Sequence, residues 1–183
     1  MGFVFAGVLA CGQPQPAVDA GVVADAGGNV DAGSPTDAGA PSCTGACAVT
    51  DLVATFHGVM GQFDRAQHGI EGDAGVYIEA HFGGDPSCPT ASSPTPDRTL
   101  VISGLRADFD GGVQTRADGL RVTLLDFKGT LSPSPFDKAV AARATVRWLD
   151  RGTLVSFTLE ADFDGGTVRG GFSAPHCASL DGP

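Results

Sequence analysis

The sequence predicts an all-β domain, an antiparallel β-sandwich or jelly-roll-like barrel of about seven to eight strands, behind a disordered N-terminal stalk. Three observations predict it. Apolar and polar residues alternate with a period of two in several stretches beyond residue 43, the pattern of half-buried strands. Gly, Pro and Asp divide these stretches at short intervals, as turns require. No stretch combines a helical period with capping residues.

Taken in chain order, residues 51–57 form a short first candidate strand. In the next, Val76, Ile78, Ala80 and Phe82 alternate with Tyr77, Glu79 and His81. Residues 99–105 and 120–127 are shorter candidates. Residues 138–149 are Ala-rich and the one serious rival as a helix. Arg143, Thr145 and Arg147 nevertheless fall on alternate positions against Val140, Ala142, Ala144, Val146 and Trp148, which reads as a strand with Trp148 on the core side. Val155, Phe157, Leu159, Ala161 and Phe163 then alternate with Ser156, Thr158, Glu160 and Asp162, and residues 167–174 close the series.

One hexapeptide, ADFDGG, occurs at 107–112 and again at 161–166. The residues before it also correspond, Leu100, Val101 and Leu105 matching Leu154, Val155 and Leu159. Asp-Gly followed by Gly predicts a hairpin turn at both copies, because primed turns need the positive φ that Gly adopts freely. The alternative is a pair of calcium loops, with Asp108, Asp110, Asp162 and Asp164 as weak candidate ligands. The longer acidic pattern of an EF-hand, ending in Glu, is absent.

The chain divides into residues 1–10, 11–42 and 43–183. Residues 2–10 are apolar and end in small residues before Cys11, and no Lys or Arg precedes that cysteine. A secretory signal carries a positive leader, so the start reads as assigned too far downstream of the true one. From Gly12 to Ser42 the chain is Ala, Gly, Asp, Pro and Val without an aromatic, and Asp19, Asp25, Asp31 and Asp37 mark a six-residue period. Nothing bulky is available to bury, Gly and Pro break regular structure, and spaced Asp keeps the segment solvated. It reads as a spacer with a root-mean-square reach of about 30 Å.

The run Val8, Leu9, Ala10, Cys11 resembles the bacterial lipobox, whose cysteine is diacylated and becomes the mature N-terminus. With the Asp-Ala-Gly spacer behind it, the N-terminal region is similar to predicted envelope lipoproteins of myxobacteria. The resemblance implies export, lipid attachment at Cys11 and a place in the cell envelope. It carries no activity. Gly12, where some bacteria use Asp for inner-membrane retention, points to the outer membrane.

Charge and cysteines bound the rest. With 21 Asp and Glu against 11 Lys and Arg, the net charge of −10 disfavours nucleic acid and anionic lipid headgroups as partners. No apolar run approaches the ~20 residues of a spanning helix, so the membrane is reached through the lipid alone. Cys43, Cys47, Cys88 and Cys177 are an even set in an exported chain, which suggests two disulfides in one of three connectivities. A Cys88–Cys177 bridge would pin a Pro-rich loop to the C-terminus. Zinc held by Cys43, Cys47, His176 and Cys177 is the competing reading.

The four histidines form no metal-protease spacing, and neither a nucleophile elbow nor a phosphate loop is present. No catalytic residue and no cofactor is assigned. The best catalytic candidates are carboxylates: Glu160 with Asp162 and Asp164 on one strand face, and Glu79 beside Tyr77 and His81. Alternate polar residues on a strand ordinarily face water. An aromatic content of 7% weighs against an extended sugar-binding platform. The expectation is therefore a non-enzymatic structural or binding domain with an unidentified protein or glycan ligand. The alternatives are a calcium- or carbohydrate-binding surface module and, behind these, a glycan-active hydrolase.

Overall fold

The computed structural model describes residues 50–108 and 112–183. The predicted stalk, Cys11, Cys43, Cys47 and Asp110 lie outside the described residues. The described part is an antiparallel β-sandwich. One sheet has six strands in the order β2 (Val59–Gln62), β1 (Val53–Phe56), β11 (Gly166–Pro175), β10 (Leu154–Phe163), β9 (Ala141–Asp150), β6 (Val113–Thr115). The other has five, in the order β3 (Arg65–Glu71), β4 (Gly75–Phe82), β5 (Arg98–Arg106), β7 (Arg121–Asp126), β8 (Phe136–Lys138).

The core lies between the sheets. Phe56, Val155, Phe157, Leu159 and Phe172 from the first sheet, with Ile78, Leu100, Ile102, Leu105 and Leu124 from the second, are wholly or almost wholly buried. Phe157 and Phe172 are cross-strand partners whose rings meet edge to face, with centroids 3.7 Å apart. The period of two in β10 is realised as expected, Val155, Phe157, Leu159, Ala161 and Phe163 all being buried.

The described residues form eleven strands against the expected seven or eight, and the additional ones have physical reasons for being missed. β2, β6 and β8 have only three or four residues each, too few to show a period. In β3, Ala66, Gln67 and His68 are consecutively buried, so polar residues stand where alternation calls for apolar ones. Gln114 of β6 is fully buried, and its side-chain amide exchanges two 2.9 Å hydrogen bonds with the backbone N–H and C=O of Arg106. A side chain here does what a neighbouring strand would do, tying β5 to the opposite sheet.

Two bulges change which residues face inward. On β9, Arg147 is the extra residue between the pairs Trp148–Ser156 and Val146–Phe157. Beyond it the phase inverts, so Leu149 packs on the core and Trp148 does not. The placement of Trp148 on the core side is thus corrected: a one-residue bulge exchanges the two faces of a strand. On β5 the extra residue falls at Ser103–Gly104, between the inward-facing Ile102 and Leu105. Gly104 has φ of +73°, and a Cβ there would stand 2.3 Å from the carbonyl oxygen of Gly119. Gly104→Ala is therefore expected to cost about 2–4 kcal/mol through left-handed backbone strain and overpacking, read as a lower urea midpoint at unchanged slope.

The two hexapeptide copies do different jobs. The second is the expected hairpin, with Asp164 and Gly165 joining β10 to β11. Only Gly165 has positive φ there (+82°), so it is not the expected primed turn of the Asn-Gly type. The first copy stands between β5 and β6, which lie in opposite sheets, so these two strands do not form the expected hairpin; its residues 109–111 lie outside the described residues. A two-residue hairpin turn with both central residues at positive φ is His57–Gly58 (+48° and +83°), between β1 and β2.

After β11 the chain crosses to the second sheet and lies along the edge of β3. His176 pairs in parallel with His68, the Cys177 N–H bonds the His68 carbonyl at 2.7 Å, and the Gly182 N–H bonds that of Ile70 at 2.9 Å. Asp181 accepts from the Ile70 N–H at 2.7 Å and lies 3.0 Å from His176 Nε2. The backbone donor, then the imidazole, hold the Asp181 carboxyl below its ordinary range. This segment covers an otherwise open sheet edge, a standard protection against strand addition.

Candidate binding cleft

The outer face of the second sheet carries a row of residues set by strand register. His81 of β4 lies opposite Thr99 of β5, Thr99 opposite Leu125 of β7, and Leu125 opposite Phe136 of β8. An outward-facing row would ordinarily be solvated, yet His81 and Thr99 are only 5% and 4% exposed. The Pro-rich segment 83–97 between β4 and β5 roofs them. Its base is fixed by the Asp97 N–H on the Phe82 carbonyl (2.9 Å), and its tip by turns in which Ser87 donates to Asp85 and Thr90 to Ser93. Gln67 reaches it from β3 through the Pro86 carbonyl, and Ser179 bonds the Pro89 carbonyl.

A disulfide between Cys88 and Cys177, with Cα atoms 5.7 Å apart, joins this roof to the C-terminal segment. Cys177 is therefore bonded to sulfur and not held as a zinc ligand. Cys43 and Cys47, the other two expected disulfide partners, lie outside the described residues.

Between roof and sheet is a cleft of about 240 Å³ whose floor holds Glu79, His81 and Thr99 and whose rim holds Phe127. The floor residues form one polar chain with Tyr77, which stands beside the cleft's lining. The Tyr77 hydroxyl donates to Glu79 Oε1 at 2.7 Å, Glu79 Oε2 lies 3.3 Å from His81 Nε2, and His81 Nδ1 lies 3.0 Å from the Thr99 hydroxyl. Burial pushes the Glu79 carboxyl up, but His81 and Tyr77 together outweigh it and hold the group below its ordinary range. Burial, then the bond to this carboxylate, push the Tyr77 phenol up, so it stays a donor. The Glu79–His81 contact has the distance of an ion pair but not the alignment of a hydrogen bond, and it leaves the buried Nε2 without a full acceptor.

The other candidate residues are placed differently. Glu160 is exposed and flanked in register by Arg143 on β9 and Arg169 on β11. Asp162 pairs with Arg169, and Asp108 with Arg106 at 2.7 Å. Asp164 sits in the hairpin turn. Glu160, Asp162 and Asp108 thus lie beside arginines on the surface, and Asp164 is exposed. Among the described residues no group of three His, Cys, Asp or Glu side chains is placed to hold a metal ion. Trp148 lies in an open depression with Arg147, Asp150 and Arg151. Sequence reasoning singled out Glu79, Tyr77 and His81 but missed Thr99 and Phe127, which strand register and the roof bring to them.

No protein-family model, curated protein or solved structure matches the chain.

Proposed function

We propose that this protein is an exported lipoprotein, anchored through Cys11 to the cell envelope and there to the outer membrane, whose β-sandwich is a non-enzymatic binding or structural module. The observation that carries the reading is the Cys88–Cys177 disulfide, because such bonds persist in oxidising compartments outside the cytoplasm. The lipobox-like run at Cys11 and the Asp-Ala-Gly spacer behind it support the same address. A retaining glycosidase needs two carboxylates about 5 Å apart; Glu79 is the only acid among the described residues that line the cleft, which favours binding over hydrolysis.

The test is fractionation of cells expressing the full chain, or its Cys11→Ser variant, behind a complete lipoprotein signal. The wild type is expected in the detergent-extractable membrane fraction and the variant in the soluble fraction. Equal release of both would remove the anchor.

A further inference from the structure

We propose that the cleft beneath the Pro-rich roof is a subsite for one neutral sugar ring of a glycan, an inference that rests on the binding-module reading and names its ligand class. Size is the first argument. At about 240 Å³ the cleft is smaller than the ~300 Å³ at which sites for drug-sized ligands begin, which suits a single ring. Charge is the second. No Lys or Arg stands among the described residues lining it, and its floor carries the Glu79 carboxylate. Anionic ligands are therefore disfavoured.

The partners Glu79 already holds then separate the remaining ligands. Its Oε1 accepts from Tyr77 and its Oε2 faces the buried His81 Nε2 at 3.3 Å. A hydroxyl entering the cleft can donate its proton to the remaining acceptor capacity of Oε2. An ammonium would meet a carboxylate already engaged by the phenol and the imidazole. The Glu79 side chain is one-fifth exposed, so the position is reachable. At the rim, Phe127 is 47% exposed. With Pro94 and Leu125 it gives the apolar wall on which the C–H face of a pyranose rests. The disulfide and the turns fix the roof before any ligand arrives, which lowers the ordering cost of weak binding.

The test is calorimetric and NMR titration of the full chain carrying Cys11→Ser. The probes are chitotriose, cellotriose, maltotriose and mannotriose, with choline and glucuronate as charged controls. At least one trisaccharide is expected to saturate. Glu79→Gln and Phe127→Ala should each weaken it at least about tenfold, a change of ~1.4 kcal/mol. Phe127→Ala, at an exposed position, should leave the melting temperature essentially unchanged, so it decides the matter if Glu79→Gln fails to fold. The proposal is overturned by no saturation up to about 10 mM, by binding that survives in a folded variant, or by choline or glucuronate occupying the site instead. Failure here is distinguishable from failure of the anchor. A chain that needs Cys11 for membrane association yet ignores every sugar loses this site alone.

Discussion

Replacing Cys88 and Cys177 together by Ser is expected to lower the unfolding free energy of the domain by about 4 kcal/mol. The two cysteines are 89 residues apart, and closing a loop of that length removes on the order of 4–5 kcal/mol of entropy from the unfolded chain. The native state also loses a connection, because the bridge alone joins the roof to the C-terminal segment covalently. Ser179 still bonds the Pro89 carbonyl, and the Cys177 N–H still bonds His68, so the fold should survive with a looser roof. Urea denaturation of the oxidised wild type and the double variant measures the difference. A loss below about 1 kcal/mol would mean that the bridge is incidental. A thiol titration of the unreduced protein should likewise find Cys88 and Cys177 unreactive.

Phe157→Ala is expected to cost about 3–5 kcal/mol. Phe157 is fully buried at the centre of β10, and its ring meets that of Phe172 across the strand pair. Removing it leaves a void between two sheets, each stiffened by its own hydrogen-bond ladder, so the site collapses only in part to refill it. Phe136→Ala is the matching control. Phe136 is 64% exposed at the short edge strand β8, and its loss should change stability by no more than about 0.5 kcal/mol. Near-equal effects at the two positions would contradict the assignment of core and surface.

The sandwich was legible because most of its strands obey a simple period. In β10 every apolar position of the period is buried, and Ser156 is the one polar position buried with them; β7 lies within its expected segment, while β4 extends its segment by one residue and β11 by one at each end. What was hidden has three physical origins. Arg147 and the Ser103–Gly104 pair are bulges, and a bulge leaves no mark on composition while exchanging inside for outside. Gln67, His68 and Gln114 are buried polar residues; backbone groups from distant segments meet both ring nitrogens of His68 and both ends of the Gln114 amide, and the Nε2 end of the Gln67 amide. The first ADFDGG copy and the second differ because the strand following each belongs to a different sheet, and identical local chemistry cannot specify that choice.

The site was half legible for a related reason. The alternation of Tyr77, Glu79 and His81 placed them on one face, and the structure joins them in one polar chain. That the face is roofed follows from residues 83–97, whose Pro-rich composition reads as a loop without saying where the loop lies. Thr99 and Phe127 come to the same cleft through the β4–β5–β7 register, which is a property of pairing and not of any local pattern. Glu160 shows the converse. It looked equivalent to Glu79 in its strand, yet register gives it two arginine neighbours and open solvent.

The central proposal is a lipid-anchored, exported binding domain, and the most direct measurement is mass spectrometry of the N-terminal peptide of the protein purified from membranes. The account predicts a mature chain that begins at Cys11 and carries a diacylglyceryl group on that residue. A mature chain that retains residues ahead of Cys11, or that bears an unmodified Cys11, would contradict it.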